Sequence, residues 1–306
     1  IINAVKIWAN DEKRKQKLSV YDEATGKGLL RHFVARYVDG LLFATVVING
    51  KELPYGRELF EILSKDFECV LYSSVNEKRT NVIMGDDVKK LYGAERDVDI
   101  DGIKTTLSPK SFLQVNDGVR QKLYDGVNAA VKNADVIIDV YSGVGILTSM
   151  LAKANKNAKV YGVEIVPQAI EDAKHNAEIN EITNAEFFVG KAEEVLPEYY
   201  ADYAKEHPGE HARADVIVVD PPRKGIDARL LSAIVKGQIS RVVYVSCNPE
   251  TMARDLDLLT AKGYRAEGFT PVDLFPQTAH CEVVCALVRG QTRVDSFQWS
   301  WDNRGR

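Results

Sequence analysis

Long apolar runs are missing from this 306-residue chain. No stretch reaches the roughly 18 residues that a membrane-spanning helix requires, so that class is excluded. The opening, IINAVKIWANDEKRKQK, lacks the unbroken apolar stretch and small-residue cleavage site of a secretory leader. Cysteine is scarce: Cys69, Cys247, Cys281 and Cys285 are the four, and they show no framework spacing. That excludes a disulfide-stapled secreted domain and leads us to expect a reducing, cytoplasmic setting. Cys281 and Cys285 lie four apart in an expected strand, and we read them as two small core residues on one face in preference to a metal site or a disulfide. A basic surplus is also missing. The net charge of −4 speaks against a general nucleic-acid binder, although an acidic protein can carry a local basic face. There is no internal repeat and no low-complexity tract. The first residue is Ile rather than Met, so further sequence upstream is expected.

What is present has two textures. Over 1–107, short alternating segments (LLRHFVARYVDG, LLFATVVING, ECVLYSSV and TNVIMGDD) read as strands between Gly, Asn and Asp turns, with a helix in YGRELFEILSKDF. This is a small α+β domain. Over 108–290, a helical stretch QVNDGVRQKLYDGVNAAVKNA precedes seven apolar strands separated by amphipathic segments: DVIIDV, KVYGVEI, AEFFVG, DVIVVD, RVVYVSC, GYRAEGFT and CEVVCALV. Nearly continuous apolar strands are covered on both faces, and β–α alternation gives a doubly wound, mostly parallel α/β sheet. The last two strands read as an antiparallel pair. This outline resembles the seven-stranded, Rossmann-like sheet of class I S-adenosylmethionine (SAM)-dependent methyltransferases. Residues 291–306 form a polar tail with two Trp, for which the sequence gives no role.

In DVIIDVYSGVGILTSMLA, Gly143 and Gly145 follow a strand and precede a helix. Glycines there allow a tight turn and close approach of a ligand to main-chain N–H groups. Glu164 ends the next strand, nineteen residues after Gly145, a spacing that suits the ribose hydroxyls of an adenosine ligand. Leu147 and Thr148 stand where a third glycine of a dinucleotide motif would fall, and a purely structural turn is the bland alternative.

Ligands of open α/β sheets sit beyond the carboxyl ends of parallel strands. Strand four ends in Asp220-Pro221-Pro222 and strand five in Cys247. In the methyltransferase strand order these two are neighbours, and the last strand, running the other way, begins beside them with Glu282. Topology therefore gathers Asp220, Cys247 and Glu282. A cysteine after an apolar run is ordinarily core packing. At a strand's carboxyl end, before a helix N-terminus, it is expected to be a thiol of lowered pKa and a nucleophile.

The motifs SFLQVN, DPPRKG, YVSCNPETMARDL and VDLFPQTAHCEVV together resemble those of the RNA 5-methyluridine (uracil-5) methyltransferases, over about 29–288, and in particular bacterial enzymes acting on 23S ribosomal RNA. The resemblance implies that Cys247 attacks C6 of a flipped uridine and that Glu282 removes the C5 proton. It places Gln114, Tyr141, Glu164 and Asp220, with Gly143 and Gly145, around SAM. It places Phe112, Gln114, Asp220 and Arg223 at the RNA, Phe112 by stacking on the base and Arg223, with Lys224, facing the RNA backbone or a carboxylate. It implies an RNA partner and no membrane. None of the four cysteines has the arrangement by which some members hold an iron–sulfur cluster, so no metal is expected. The chain begins too late to contain the small β-barrel RNA-binding domain that many members carry.

Rival readings are weaker. Cytosine-5 enzymes commonly place a second cysteine where Arg223 stands, and exocyclic-amine methyltransferases need no thiol. A transfer-RNA uracil-5 enzyme is the nearest alternative. A non-catalytic RNA-binding protein on the same fold leaves the coincidence of Cys247 and Glu282 without a reason.

Overall fold

A computed structural model of the chain describes residues 1–114, 116–206 and 214–290. It divides into two compact units, Ile1–Phe112 and Leu113–Arg306. The tail 291–306 lies outside the described residues. The change of texture near Leu107 precedes this division by five residues because Ser108 and Lys110 bond back into the first unit: Arg36 donates to the Ser108 carbonyl and Lys110 to the Asp86 carbonyl.

In the first unit, α1 (Ile2–Asn10) is followed by β1 (Leu30–Val38), β2 (Leu41–Ile48), α2 (Gly56–Leu63), β3 (Glu68–Val75), β4 (Asp87–Tyr92), β5 (Val98–Ile100) and β6 (Ile103–Thr105). Strands β1 to β4 form a sheet in that order, with β2 and β3 parallel across the α2 crossover. The β1–β2 turn is Asp39-Gly40, both at positive φ (46° and 78°), which matches the twist of a two-residue hairpin. Trp8, Leu42, Leu59, Leu63 and Leu71 share one core, and Trp8 donates its indole N–H to the Tyr55 carbonyl at 2.9 Å. The sequence reading missed α1 and the β5–β6 hairpin, both too short to show a clear period. It also placed a strand over TNVIMGDD. The structure corrects this: β4 begins only at Asp87, because the Asn76 side chain donates to the carbonyls of Val82 and Ile83 and Ser74 accepts from the Gly85 N–H. Backbone groups held by side chains are not free to pair in a ladder.

The second unit runs α3 (Asp117–Val131), β7 (Val136–Val140), α4 (Ile146–Ala154), β8 (Lys159–Glu164), α5 (Pro167–Ile179), β9 (Ala185–Val189), α6 (Ala192–Glu206), β10 (Val216–Val219), α7 (Ala228–Lys236), β11 (Arg241–Ser246), α8 (Pro249–Thr260), β12 (Tyr264–Val272) and β13 (Glu282–Arg289). All seven expected strands are present. Their spatial order is β12-β13-β11-β10-β7-β8-β9, with β13 alone running opposite to the other six. The VIVV of β10 explains the unbroken apolar run. Val216 and Val218 pack with Leu123, Val127 and Leu151 on one face, while Ile217 and Val219 pack with Leu230, Ile234, Met252 and Leu259 on the other. A strand buried on both faces has no polar phase.

Candidate active site

The first part of the site is the turn after β7. Tyr141 (φ 67°), Gly143 (54°) and Gly145 (77°) are left-handed, and the N–H groups of Tyr141 and Ser142 both donate to the Val163 carbonyl at 3.0 and 3.2 Å. The two glycines serve different ends. A Cβ at Gly145 would lie 2.8 Å from the Ala173 Cβ and from Phe187, whereas one at Gly143 would meet nothing within 4 Å. Gly145 is thus glycine for packing, and Gly143 faces open space at the head of α4. Glu164 closes the turn, its two carboxylate oxygens accepting from Gly143 N (3.2 Å) and Val166 N (3.0 Å). Ile165 and Val166, which the sequence reading did not single out, expose 57% and 50% of their surface beside it. Two apolar residues left in water directly after a strand's terminal acid were the available signal. Beneath the turn, Asp139 is buried and accepts from Thr148 Oγ1 at 2.6 Å; burial first, then Glu164, leaves its pKa at about 7 despite that bond. Gln114 is buried, and its carbonyl accepts from Arg120 at 3.1 Å.

The second part lies across β10, β11 and β13. Val219 pairs with Val140 on one side and Tyr244 on the other, so Asp220 lies level with Tyr141 and Val245. Ser246 pairs with Val283 in the antiparallel ladder, and continuing that register by one residue sets Cys247 opposite Glu282. Asn248 caps α8, its side chain accepting from Glu250 N at 3.1 Å. Sheet register therefore brings together the three residues that topology had gathered. Glu282 is only 3% exposed, and among the described residues its Oε2 has no hydrogen-bond partner.

The electrostatics of this edge are those of crowded acids. Burial, then the carboxylates of Glu282 and Asp139, push Asp220 up to about 8. Burial also raises Glu282, with Arg223 pulling the other way. The expected lowered thiol pKa is not found. Cys247 is raised, by burial first and then by Glu282 and Asp220, and the opposing Arg223 does not offset them. The position before a helix N-terminus is as expected, but half-burial beside two carboxylates outweighs it. Arg223 thus acts on a carboxylate and a thiol together. Phe112 ends the first unit and is 74% exposed. Cys285 is buried in the core, while Cys281 is half-buried. An open depression of about 420 Å³ against β9, lined by Lys174, Glu178, Phe187 and Phe188, contains none of these residues.

Taken together, the seven-stranded sheet with its reversed β13 and the glycine turn opposite Glu164 define a class I SAM-dependent methyltransferase fold. The family model described as tRNA (Uracil-5-)-methyltransferase matches residues 63–290, and the chain belongs to that family. An uncharacterized RNA methyltransferase of Bacillus cereus is 45% identical over 282 residues, covering 90% of this chain and 59% of the relative. One of Halalkalibacterium halodurans is 46% identical over 274 residues, covering 87% and 58%. Among solved structures, the tRNA (uracil-54, C5)-methyltransferase of Pyrococcus abyssi in complex with S-adenosyl-L-homocysteine has a TM-score of 0.74 at 32% identity, covering 94% of this chain and 66% of that one. The chain spans about three-fifths of the length of the curated relatives it matches. Among the described residues, no helix is long and apolar enough to cross a membrane, and no group of His, Cys, Asp or Glu is arranged to hold a metal ion.

Proposed function

We propose that the protein methylates C5 of uridine in RNA through a covalent Cys247–C6 adduct, with SAM as the methyl donor. The observation that carries this reading is the Ser246–Val283 register between β11 and β13, which continued by one residue sets Cys247 opposite Glu282, a carboxylate with an unbonded buried oxygen. The open space at Gly143, the Glu164 brace and the exposed Ile165 and Val166 fit an adenosine-bearing donor. Bound there, SAM supplies an electrophilic methyl group. We assign Tyr141, Gly143 and Glu164 to the donor, with Gly145 shaping the turn through its packing, and Gln114 and Asp220 to donor and base together.

Uracil C5 is a weak nucleophile. Addition of the Cys247 thiolate to C6 moves the C5–C6 π electrons onto O4 as an enolate. C5 then takes the methyl group, and Glu282 accepts the C5 hydrogen as a proton. The electrons of that C–H bond re-form the C5–C6 double bond, and the Sγ–C6 bond breaks to return the thiolate. Arg223, which lowers the pKa of both Cys247 and Glu282, favours the ionised form that each step needs. Reaching C6 requires the base to leave its stack, and an exposed aromatic ring such as that of Phe112 is of the kind on which an extruded base stacks.

The target we favour is 23S ribosomal RNA. Transfer RNA is the second reading, and the Pyrococcus neighbour's action on tRNA uracil 54 speaks for it. The test offers both RNAs, made with 5-fluorouracil, to the protein and SAM. Fluorine at C5 blocks elimination, so a denaturation-resistant protein–RNA band is expected with the true substrate and is absent from Cys247→Ala. A band of unchanged yield in Cys247→Ala overturns the nucleophile, and no methyl transfer into uridine of either RNA overturns the reaction.

A further inference from the structure

The DPPRKG loop and the Ile226 that follows it are tied to the start of α8 by four hydrogen bonds at three backbone groups. The Arg223 carbonyl accepts from Asn248 Nδ2 (3.1 Å) and Thr251 Oγ1 (3.2 Å), and the Lys224 carbonyl accepts from Arg254 Nη2 (2.9 Å). The Ile226 N–H donates to Asp255 Oδ2 at 2.7 Å, the same oxygen that takes the Tyr244 hydroxyl at 2.8 Å. Asp255 Oδ1 takes the Arg254 guanidinium at 2.9 and 2.7 Å. Asp255 is fully buried, and every one of these contacts ends on the loop, on β11 or on α8 itself. Gly225 confirms how tightly the loop sits: at φ +81°, its Cβ would lie 2.5 Å from Asp255 Oδ2 and from Arg254.

Asp255 reaches neither Cys247 nor Glu282, so the reaction as written does not use it. Yet α8 is the helix that Cys247 precedes, and the loop is the one that carries Arg223. We propose that Asp255 is a positioning residue: through the Ile226 N–H, Tyr244 and Arg254 it pins the Arg223 loop to α8, so that the guanidinium stays beside the Cys247 thiol. Arg223 is itself exposed. Without a pinned backbone, a long exposed side chain spreads its charge over many rotamers and loses most of its effect on a neighbouring group. The groups facing the thiol are Glu282 and Asp220, which oppose its ionisation, and Arg223, which favours it.

The inference rests on Cys247 being the reacting group, but its test needs no RNA. The rate of iodoacetamide alkylation at Cys247, located by mass spectrometry, is followed from pH 6 to 10 in the whole protein. In Asp255→Asn the profile should move to higher pH, with alkylation at neutral pH slowed about threefold or more, since half a pKa unit changes the thiolate fraction by about that factor. In an Arg223→Gln background, Asp255→Asn should add little, because its partner in the effect is already gone. Full additivity of the two shifts, or an Asp255→Asn profile superimposed on the wild type, overturns the proposal. If Asp255→Asn does not fold, Tyr244→Phe removes one arm of the same clamp, and the same two outcomes decide it. Wild-type methylation by Cys247→Ala would instead remove the proposed reaction and leave the alkylation profiles readable.

Discussion

The two halves of the sheet's carboxyl edge handle their acids in opposite ways. On the β7–β8 side, Glu164 has both oxygens engaged by main-chain N–H groups, and three left-handed residues shape the turn. On the β11–β13 side, Glu282 is buried with one oxygen unbonded, beside a thiol and a second acid. A carboxylate with its hydrogen bonds satisfied holds geometry, whereas one left short is poised to take a proton. The first half is suited to holding a ligand and the second to reacting with one.

Exchanging the proposed base for its amide is the change expected to break this contrast most sharply. Glu282→Gln is expected to lose about 10²- to 10⁴-fold in turnover, the range for a lost general base. It should also retain ordinary uridine RNA as a methylated adduct on denaturing gels. Because a carboxylate that opposes thiol ionisation is removed, its Cys247 should alkylate faster than wild type at neutral pH. Wild-type turnover, or slower alkylation, would contradict the role.

A smaller effect is expected from pH. The Cys247 thiol is raised above its ordinary value, so the thiolate is the minor form at neutral pH and grows about tenfold per unit below the pKa. Methyl transfer at limiting RNA should therefore climb through neutrality and keep climbing past pH ~8.5, where an ordinary thiol levels off. A plateau below pH 8 in initial-rate measurements would count against it.

The mildest test compares the glycines. Gly143→Ala carries a left-handed backbone cost of about 1 kcal/mol and puts its methyl where a ligand is expected, so it should weaken SAM binding in calorimetry more than it lowers Tm. Gly145→Ala, with Ala173 and Phe187 in the way, should do the reverse and destabilise by about 2 kcal/mol or more. Equal behaviour of the pair would merge the two roles.

Much of the second unit was legible in sequence because its strands are long apolar runs covered on both faces, and strand order follows once the βα alternation is seen. The adjacency of Cys247 and Glu282 was legible by the same route, since sheet register converts topology into adjacency. The sign of the Cys247 shift was not legible. It depends on how much water reaches the thiol and on how two acids and Arg223 balance, which are properties of packing. Asp255 was hidden for a similar reason. In MARDL it reads as one more polar helix residue, and only the path of the DPPRKG loop across α8 shows that it is buried. In the first unit, β4 was misplaced because Asn76 and Ser74 claim backbone groups from a distance that no short-range pattern records.

The six paired residues between β11 and β13 make the relation of sulfur to carboxyl a matter of counting along a ladder. Inserting or deleting one residue within Val283–Val288 would turn Glu282 to the opposite side of the sheet, while composition and core volume barely changed. Changes in the length of the connection between Val272 and Glu282 leave that count untouched. Redesign of this protein therefore has a natural place to graft new sequence, and a neighbouring stretch of six residues where the length of the chain must be kept.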